Sequence, residues 1–132
     1  MVDPSGRGDV TDSHIVWRNR KGAPEIPSPL IIDDLMFMVN EGGVVSCVEA
    51  KNGNPVWKGR VGGNYWASPL YAGGNIYFFS MEGRVSVISA ERQFKLLARN
   101  EFDEGFIASG AVAGNTLILR SERHLYCIED KP

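Results

Sequence analysis

Ser68-Pro69-Leu70-Tyr71-Ala72-Gly73-Gly74-Asn75-Ile76-Tyr77-Phe78-Phe79-Ser80-Met81-Glu82-Gly83-Arg84-Val85-Ser86-Val87-Ile88 holds three short apolar runs separated by Gly-Gly and by Met-Glu-Gly. Runs of this length, rich in Val, Ile, Tyr and Phe and bounded by glycine, read as β-strands joined by tight turns. With one further strand after a turn, the unit is expected to place strands over 66–71, 75–80, 84–89 and 93–98. No stretch of the chain keeps apolar residues at i, i+3, i+4 and i+7 for three turns, so a helical reading fails.

The same stretch recurs. Ser28-Pro29-Leu30 lies 40 residues before Ser68-Pro69-Leu70, and the degenerate Ser109-Gly110-Ala111 returns one residue late. Trp17 and Trp57, Gly43 and Gly83, the trio Val45, Val85 and Leu125, and the trio Val48, Ile88 and Ile128 all keep the 40-residue interval. Asp33-Asp34, Gly73-Gly74 and roughly Ala113-Gly114 stand at the first turn of each unit, where tight hairpins need positive φ. His124 is read as replacing the turn glycine of the other two units. Four short strands per 40-residue period is the pattern of a β-propeller blade. A β-sandwich would not repeat its side chains at that period, and the absence of helical periodicity excludes helical solenoids.

At 132 residues and 43% hydrophobic content the chain has the composition of one globular domain. The period divides it into a flexible tail or linker over 1–13 and three blades over 14–54, 55–92 and 93–132. Three blades do not close a ring, since propellers have roughly four to eight. The expected fold is therefore all-β, about three four-stranded antiparallel blades, completed to a six-bladed ring by dimerisation or by further blades of a longer chain. Residues 14–18 read as an outermost strand ending near Trp17, and the third unit lacks one. An unpaired edge templates pairing with another chain. A head-to-tail homodimer is the expected partner arrangement, strand 14–18 of one copy completing the last blade of the other. Third strands apolar on both faces agree with blades sandwiched between neighbours: Val44, Val45, Cys47 and Val48; Val85, Val87 and Ile88; Leu125, Tyr126, Cys127 and Ile128.

Fourteen Lys plus Arg against sixteen Asp plus Glu give a net charge of -2. No positive field exists to hold a polyanion, which excludes nucleic acid and anionic membrane surfaces as expected partners. The longest apolar runs fall far short of the roughly 18 residues of a spanning helix, so no membrane insertion is expected. Met1 to Asp9 has no apolar run of the secretory type, so the protein is expected either to be cytoplasmic or to have its leader outside this sequence. Arg7-Gly8-Asp9 matches an integrin-type tripeptide but sits in a Gly-rich tail where such matches arise by chance.

Two cysteines and two histidines, far apart in sequence, make no zinc signature, and no catalytic, cofactor or metal residue is assigned. Cys47 and Cys127 hold equivalent third-strand positions two blades apart, beyond disulfide reach, and are expected as two free buried thiols. His14 and His124 read as edge and turn residues.

Propellers carry partner contacts on the loops that surround the channel, because those loops vary without disturbing the core. Here these loops hold Glu25; Asn64, Tyr65 and Trp66; Asp103, Glu104 and Phe106; and Glu41, Glu82, Arg84, Glu122 and Arg123. Asn64-Tyr65-Trp66 is the leading contact candidate, since Tyr and Trp combine apolar area with a polar handle. Trp66 also aligns with Ile26 and Ile107 and reads as an inner-strand core residue. The acidic residues would attract cations or basic peptide, or simply be solvated.

The unit over 68–88 resembles the quinoprotein-type (PQQ-like) β-propeller repeat, over about residues 14 to 130. Glu49-Ala50-Lys51-Asn52-Gly53-Asn54-Pro55-Val56-Trp57 resembles that family's tryptophan-docking turn, an acid, then Thr-Gly, then Trp four residues after the Gly. Glu49 stands for the usual Asp and Asn52 for the Thr, while Gly53 and Trp57 match; Trp17 would be the docking residue of the preceding copy. In the next copy Arg92-Gln93 replaces Thr-Gly and Leu97 the Trp. The blade type occurs in BamB-like outer-membrane assembly propellers, in bacterial sensor domains and in alcohol dehydrogenases. The resemblance therefore implies a periplasmic or extracytoplasmic protein. A dehydrogenase of this kind needs pyrroloquinoline quinone, Ca²⁺ and an Asp base gathered from many blades, commonly with a vicinal Cys pair, which this sequence lacks. The expected function is a non-catalytic module that binds a protein, peptide or small ligand, with no cofactor; the alternatives are part of a quinone- and Ca²⁺-dependent dehydrogenase or a small-molecule sensor.

Overall fold

A computed structural model, which describes residues 1–129, shows an all-β chain. Residues 130–132, the end of the third predicted unit, lie outside the described residues. Three antiparallel sheets follow one another, each running in chain order. Blade 1 contains β1 (Leu30–Ile32), β2 (Leu35–Val39), β3 (Val44–Glu49) and β4 (Pro55–Arg60). Blade 2 contains β5 (Leu70–Ala72), β6 (Asn75–Phe79), β7 (Arg84–Ser89) and β8 (Leu96–Glu101), and blade 3 contains β9 (Ala111–Ala113), β10 (Thr116–Arg120) and β11 (Leu125–Glu129).

The register repeats with the period. Phe37 faces Cys47, Tyr77 faces Val87 and Ile118 faces Cys127. The two-residue first turns are Asp33-Asp34, Gly73-Gly74 and Gly114-Asn115, the last one residue later than the sequence alignment places it. Asp33, at φ 52°, is the only non-glycine with positive φ among the described residues; a short Asp side chain tolerates this region better than most.

Four local expectations change. Strand β8 starts at Leu96 rather than 93, and the turn before it is one residue longer than its counterpart before β4. Both outer strands carry a register shift at the same place, after Cys47 and after Val87, which sets Trp57 opposite Cys47 and Ala98 opposite Val87. Ala98, not Leu97, is therefore the counterpart of Trp57. Residues 14–18 form no strand of a sheet; Ile15 makes an isolated bridge to Val2, and Asp3 N–H donates to His14 O at 2.8 Å. Among the described residues no further strand pairs with this segment. Finally, since Val45, Val85 and Leu125 share a register, Arg123 rather than His124 replaces the turn glycine.

The core lies between blades. Phe37, Val39, Val45 and Cys47 of blade 1 form one buried cluster with Ile76, Phe78 and Ile88 of blade 2, and Trp57 and Phe94 flank it with ring centroids 5.4 Å apart. A second cluster joins Phe79 and Val85 of blade 2 to Leu119 of blade 3, with Tyr77, Leu117 and Tyr126 alongside. Cys47 is buried within the first interface, whereas Cys127 is exposed. The expected second buried thiol is thus corrected: Cys127 occupies the same register on a face of blade 3 that no blade covers among the described residues.

Two straps tie the blades together. In the first, Val61 N–H donates to Gly43 O at 3.0 Å and Tyr65 N–H to Glu41 O at 3.0 Å. In the second, Phe102 N–H donates to Gly83 O at 2.8 Å and Phe106 N–H to Ser80 O at 3.0 Å. Gly43 and Gly83, at φ 73° and 86°, lie directly beneath these straps. A Cβ at Gly83 would stand 2.3 Å from Phe102 O, and one at Gly43 2.7 Å from the Gly62 carbonyl carbon. Among the described residues no strap crosses the corresponding turn of blade 3, so Arg123 fits there without conflict.

Candidate functional site: the strap face

Each strap leads into its inner strand through a serine, and the three serines are joined. Ser28 N–H donates to Ser68 Oγ at 2.9 Å, and Ser68 N–H donates to Ser109 Oγ at 2.9 Å. This ladder brings the two straps and the segment before β1 side by side. Two residues upstream of it stand Ile26, Trp66 and Ile107, exposed by 52%, 46% and 55%. One large apolar side chain per blade therefore faces solvent at the same place, where the sequence reading left a core role open for Trp66. Beside Ile107 lies a depression of about 410 Å³ bounded by Gly105, Arg120 and Glu122.

Tyr65 behaves in the opposite way from Trp66. It is fully buried, edge-on to Phe78 at 6.4 Å, and so is corrected from partner contact to core. Burial pushes its phenol pKa up. The strap reverses direction at this point: Tyr65 turns inward under blade 2 while its neighbours Asn64 and Trp66 point outward.

The acidic residues divide into two kinds. Glu25 and Asp103 are exposed. Glu41, Glu82 and Glu104 bind backbone. Glu41 Oε1 accepts the N–H groups of Glu25 at 2.6 Å and Ile26 at 3.0 Å; Glu82 accepts Asn64 N–H at 3.0 Å and Asn64 Nδ2 at 2.5 Å. The carboxyls of Glu41 and Glu82 are both held below their usual range, by the Glu41 N–H in the first case and the Asn64 N–H in the second. Arg84 is committed to Glu101 at 2.8 Å.

Glu104 corrects another expectation, because it is buried rather than presented to a partner. It receives Ser121 Oγ–H at 2.6 Å, Arg123 N–H at 3.0 Å and Arg123 Nε–H at 3.1 Å, with His124 Nδ1 at 2.9 Å. These donors, the Ser121 hydroxyl first, outweigh burial and bring its pKa from 4.5 down to about 2. A carboxyl depressed in the folded state contributes stability above its unfolded value and loses it as pH falls through the folded one. Thermal unfolding of wild type and Glu104→Gln should therefore differ most above pH 4.5, with wild type more stable, and converge as pH falls toward about 2. A constant difference across that range would refute the assignment.

The docking residues meet as the motif implies. Trp57 Nε1–H donates to Glu91 O of blade 2 at 2.9 Å, and Trp17 Nε1–H donates to Ala50 O of blade 1 at 2.9 Å. Gly53, at φ 74°, lies flat against the Trp17 ring, where a Cβ would sit 2.6 Å from Cε3. Asn52 Oδ1 accepts Asn54 N–H at 2.8 Å and shapes the turn. Glu49 accepts Arg92 Nη1–H at 2.6 Å, and Arg92 also pairs with Asp34. The Arg that breaks the docking motif of blade 2 thus clamps blade 2 to blade 1.

Sequence reading missed the serine ladder and the Arg92 clamp. The ladder had a signal, since Ser28, Ser68 and Ser109 recur in register even where the following Pro becomes Gly. The clamp had none, because Asp34 and Arg92 are 58 residues apart. Among the described residues no three His, Cys, Asp or Glu side chains gather as ion ligands, so these residues do not by themselves fit a Ca²⁺ site. No helix among them is long and apolar enough to cross a membrane.

Repeated blades, overlying straps and tryptophans docked from blade to blade define a segment of a β-propeller with quinoprotein-type blades. The family described as outer membrane protein assembly factor BamB matches residues 7–120, and the chain belongs to that family. Solved structures agree on the fold. BamB from Moraxella catarrhalis is 17% identical with a TM-score of 0.58, over 70% of this chain and 28% of that one. A quinohemoprotein alcohol dehydrogenase from Pseudomonas putida HK5 is 14% identical with a TM-score of 0.59, over 71% of this chain and 16% of that one. Quinohemoprotein alcohol dehydrogenase from Comamonas testosteroni is 14% identical at a TM-score of 0.56, over 74% and 17%. The chain thus spans about a quarter of the BamB chain and less of the dehydrogenases. A search of curated proteins finds no match.

Proposed function

We propose that the chain is a non-catalytic propeller segment that binds a protein or peptide partner through its strap face, in an extracytoplasmic compartment. The observation that carries this reading is the row Ile26, Trp66 and Ile107, three large apolar residues exposed in register and held side by side by the serine ladder. Aromatic and aliphatic anchors rimmed by charge are what a binding surface needs. The exposed acids Glu25 and Asp103, with Glu122 near Ile107, favour a partner of mixed apolar and basic character.

The row is tested by selecting a displayed peptide library on the wild-type chain and on Trp66→Ala and Ile107→Ser. Wild type should enrich apolar-basic peptides and both variants should lose them. Exposed substitutions of this kind alter stability by only about 0.5 kcal/mol, so far-UV circular dichroism should not change. Equal enrichment by all three proteins would refute the role of the row. Titration with pyrroloquinoline quinone, with and without Ca²⁺, addresses the dehydrogenase alternative: the scaffold reading expects no saturable absorbance change, and stoichiometric binding would overturn it.

A further inference from the structure

Asn52 is the one asparagine of the chain that a glycine follows. Such a pair carries its own chemistry. The backbone nitrogen of the glycine attacks the side-chain amide carbon of the Asn and closes a five-membered imide. A new N–Cγ bond forms, the Cγ–Nδ2 bond breaks, and the amide nitrogen leaves as ammonia. Water then opens the ring on either side and gives Asp or isoaspartate, with no oxidant or other reagent. Glycine favours ring closure because it brings no Cβ to hinder the approach of its nitrogen. Asn54 cannot react in this way, since the nitrogen of Pro55 has no hydrogen to lose.

The fold withholds this reaction while leaving the Asn52 side chain exposed. Gly53 N–H donates to Glu49 O at 2.8 Å, and Asn52 Oδ1 accepts Asn54 N–H at 2.8 Å. An imide nitrogen carries no hydrogen, so ring closure abolishes the first of these bonds by necessity. The turn has little room to give. Glu49 N–H closes it on Asn54 O at 2.8 Å, the Trp17 ring lies on Gly53, and the Trp17 indole holds Ala50 O at 2.9 Å. The cover itself comes from a segment that joins no sheet. A segment held this way opens more readily than the packed blades. The corresponding turn of blade 2, under Trp57, contains Glu91-Arg92-Gln93 and no Asn. Only the turn beneath the less anchored tryptophan carries the reactive pair.

We propose that Asn52-Gly53 is a self-modification site guarded by Trp17. The pair stays intact while the indole is docked and converts to Asp or isoaspartate during the time that residues 14–18 spend undocked. Isoaspartate inserts an extra methylene into the main chain just before Gly53, so the glycine no longer lies where the Trp17 ring covers it. Conversion is permanent, and the site keeps a record of each opening.

Ageing of the full 132-residue chain in mildly alkaline buffer, followed by tryptic mass spectrometry, tests it. Cleavage after Lys51 and Lys58 isolates peptide 52–58, in which the mass gain of amide to acid and the paired Asp and isoaspartate peaks report the site. Folded wild type should convert at least about tenfold more slowly than the same chain in denaturant, in proportion to the time the turn is open. Trp17→Ala should approach the denatured rate while Cys47, buried between blades and with its thiol pKa pushed up to about 11 by that burial, stays closed to maleimide. Folded wild type converting as fast as the denatured chain would overturn the proposal. So would Trp17→Ala converting as slowly as wild type with Cys47 protected. If Trp17→Ala exposes Cys47, the core has gone with the indole, and Trp17→Phe decides. That variant keeps a ring over Gly53 but loses the bond to Ala50 O, so it should convert faster than wild type; an unchanged rate would overturn the guard.

Discussion

Gly83→Ala should lower the unfolding free energy by roughly 2–5 kcal/mol, as the sum of a left-handed alanine and overpacking against fixed backbone. The residue sits at φ 86°, and its new methyl would meet Phe102 O at 2.3 Å and Glu104 O at 2.8 Å. Neither contact is with a flexible side-chain end. Relief requires the second strap to lift, which breaks the Phe102 N–H to Gly83 O bond and strains the insertion of Phe106. Denaturant unfolding should show the midpoint falling with little change in slope. Arg123→Ala, at the same place in blade 3, should cost far less because no strap among the described residues passes over it. Equal losses at the two positions would show that strap contact is not the cause.

Phe78→Ala should cost about 3–5 kcal/mol, the usual range for removing a fully buried ring. Phe78 is 1% exposed and joins Ile76 and Ile88 of blade 2 to Phe37, Val45 and Cys47 of blade 1, with Tyr65 edge-on above it. Its loss removes the centre of one inter-blade interface. Against a typical stability of roughly 5–15 kcal/mol, that is a large fraction. The same substitution should make Cys47 accessible to maleimide, since Cys47 depends on that interface for cover. A stable Phe78→Ala protein with Cys47 still protected would place the core elsewhere.

The repeat made the blades readable because each strand position recurs with the same physical demand. Val45, Val85 and Leu125 keep one register, and Gly43 and Gly83 are both held under straps. Boundaries were less legible where a single residue enters or leaves a turn. The longer turn before β8 moved the counterpart of Trp57 from Leu97 to Ala98, and the shorter turn before β11 moved the glycine position from His124 to Arg123. Sequence alone cannot see such a slip when the local residues are equally polar. The strap face was harder still. Alternation along Asn64-Tyr65-Trp66 does not say which ring turns inward, and the structure reverses the weighting by burying Tyr65 and exposing Trp66. Glu104 read as a loop acid because its partners Ser121, Arg123 and His124 lie 17 to 20 residues away in sequence.

The serine ladder gives the blades a sense of direction. Each link uses the backbone donor of one blade and the side-chain acceptor of the next, so the row of three has unlike ends: a hydroxyl acceptor at Ser28 and an N–H donor at Ser109. Such a row can be extended only by matching donor to acceptor, like a polar filament growing at distinguishable ends. Any blade that joins this molecule, whatever chain it comes from, must arrive with its serine in the same orientation. Stacking two like ends would set donor against donor or leave both hydroxyls without a backbone N–H. The serine row therefore distinguishes the two orientations of an added blade by one backbone N–H to hydroxyl bond, worth about 1 kcal/mol.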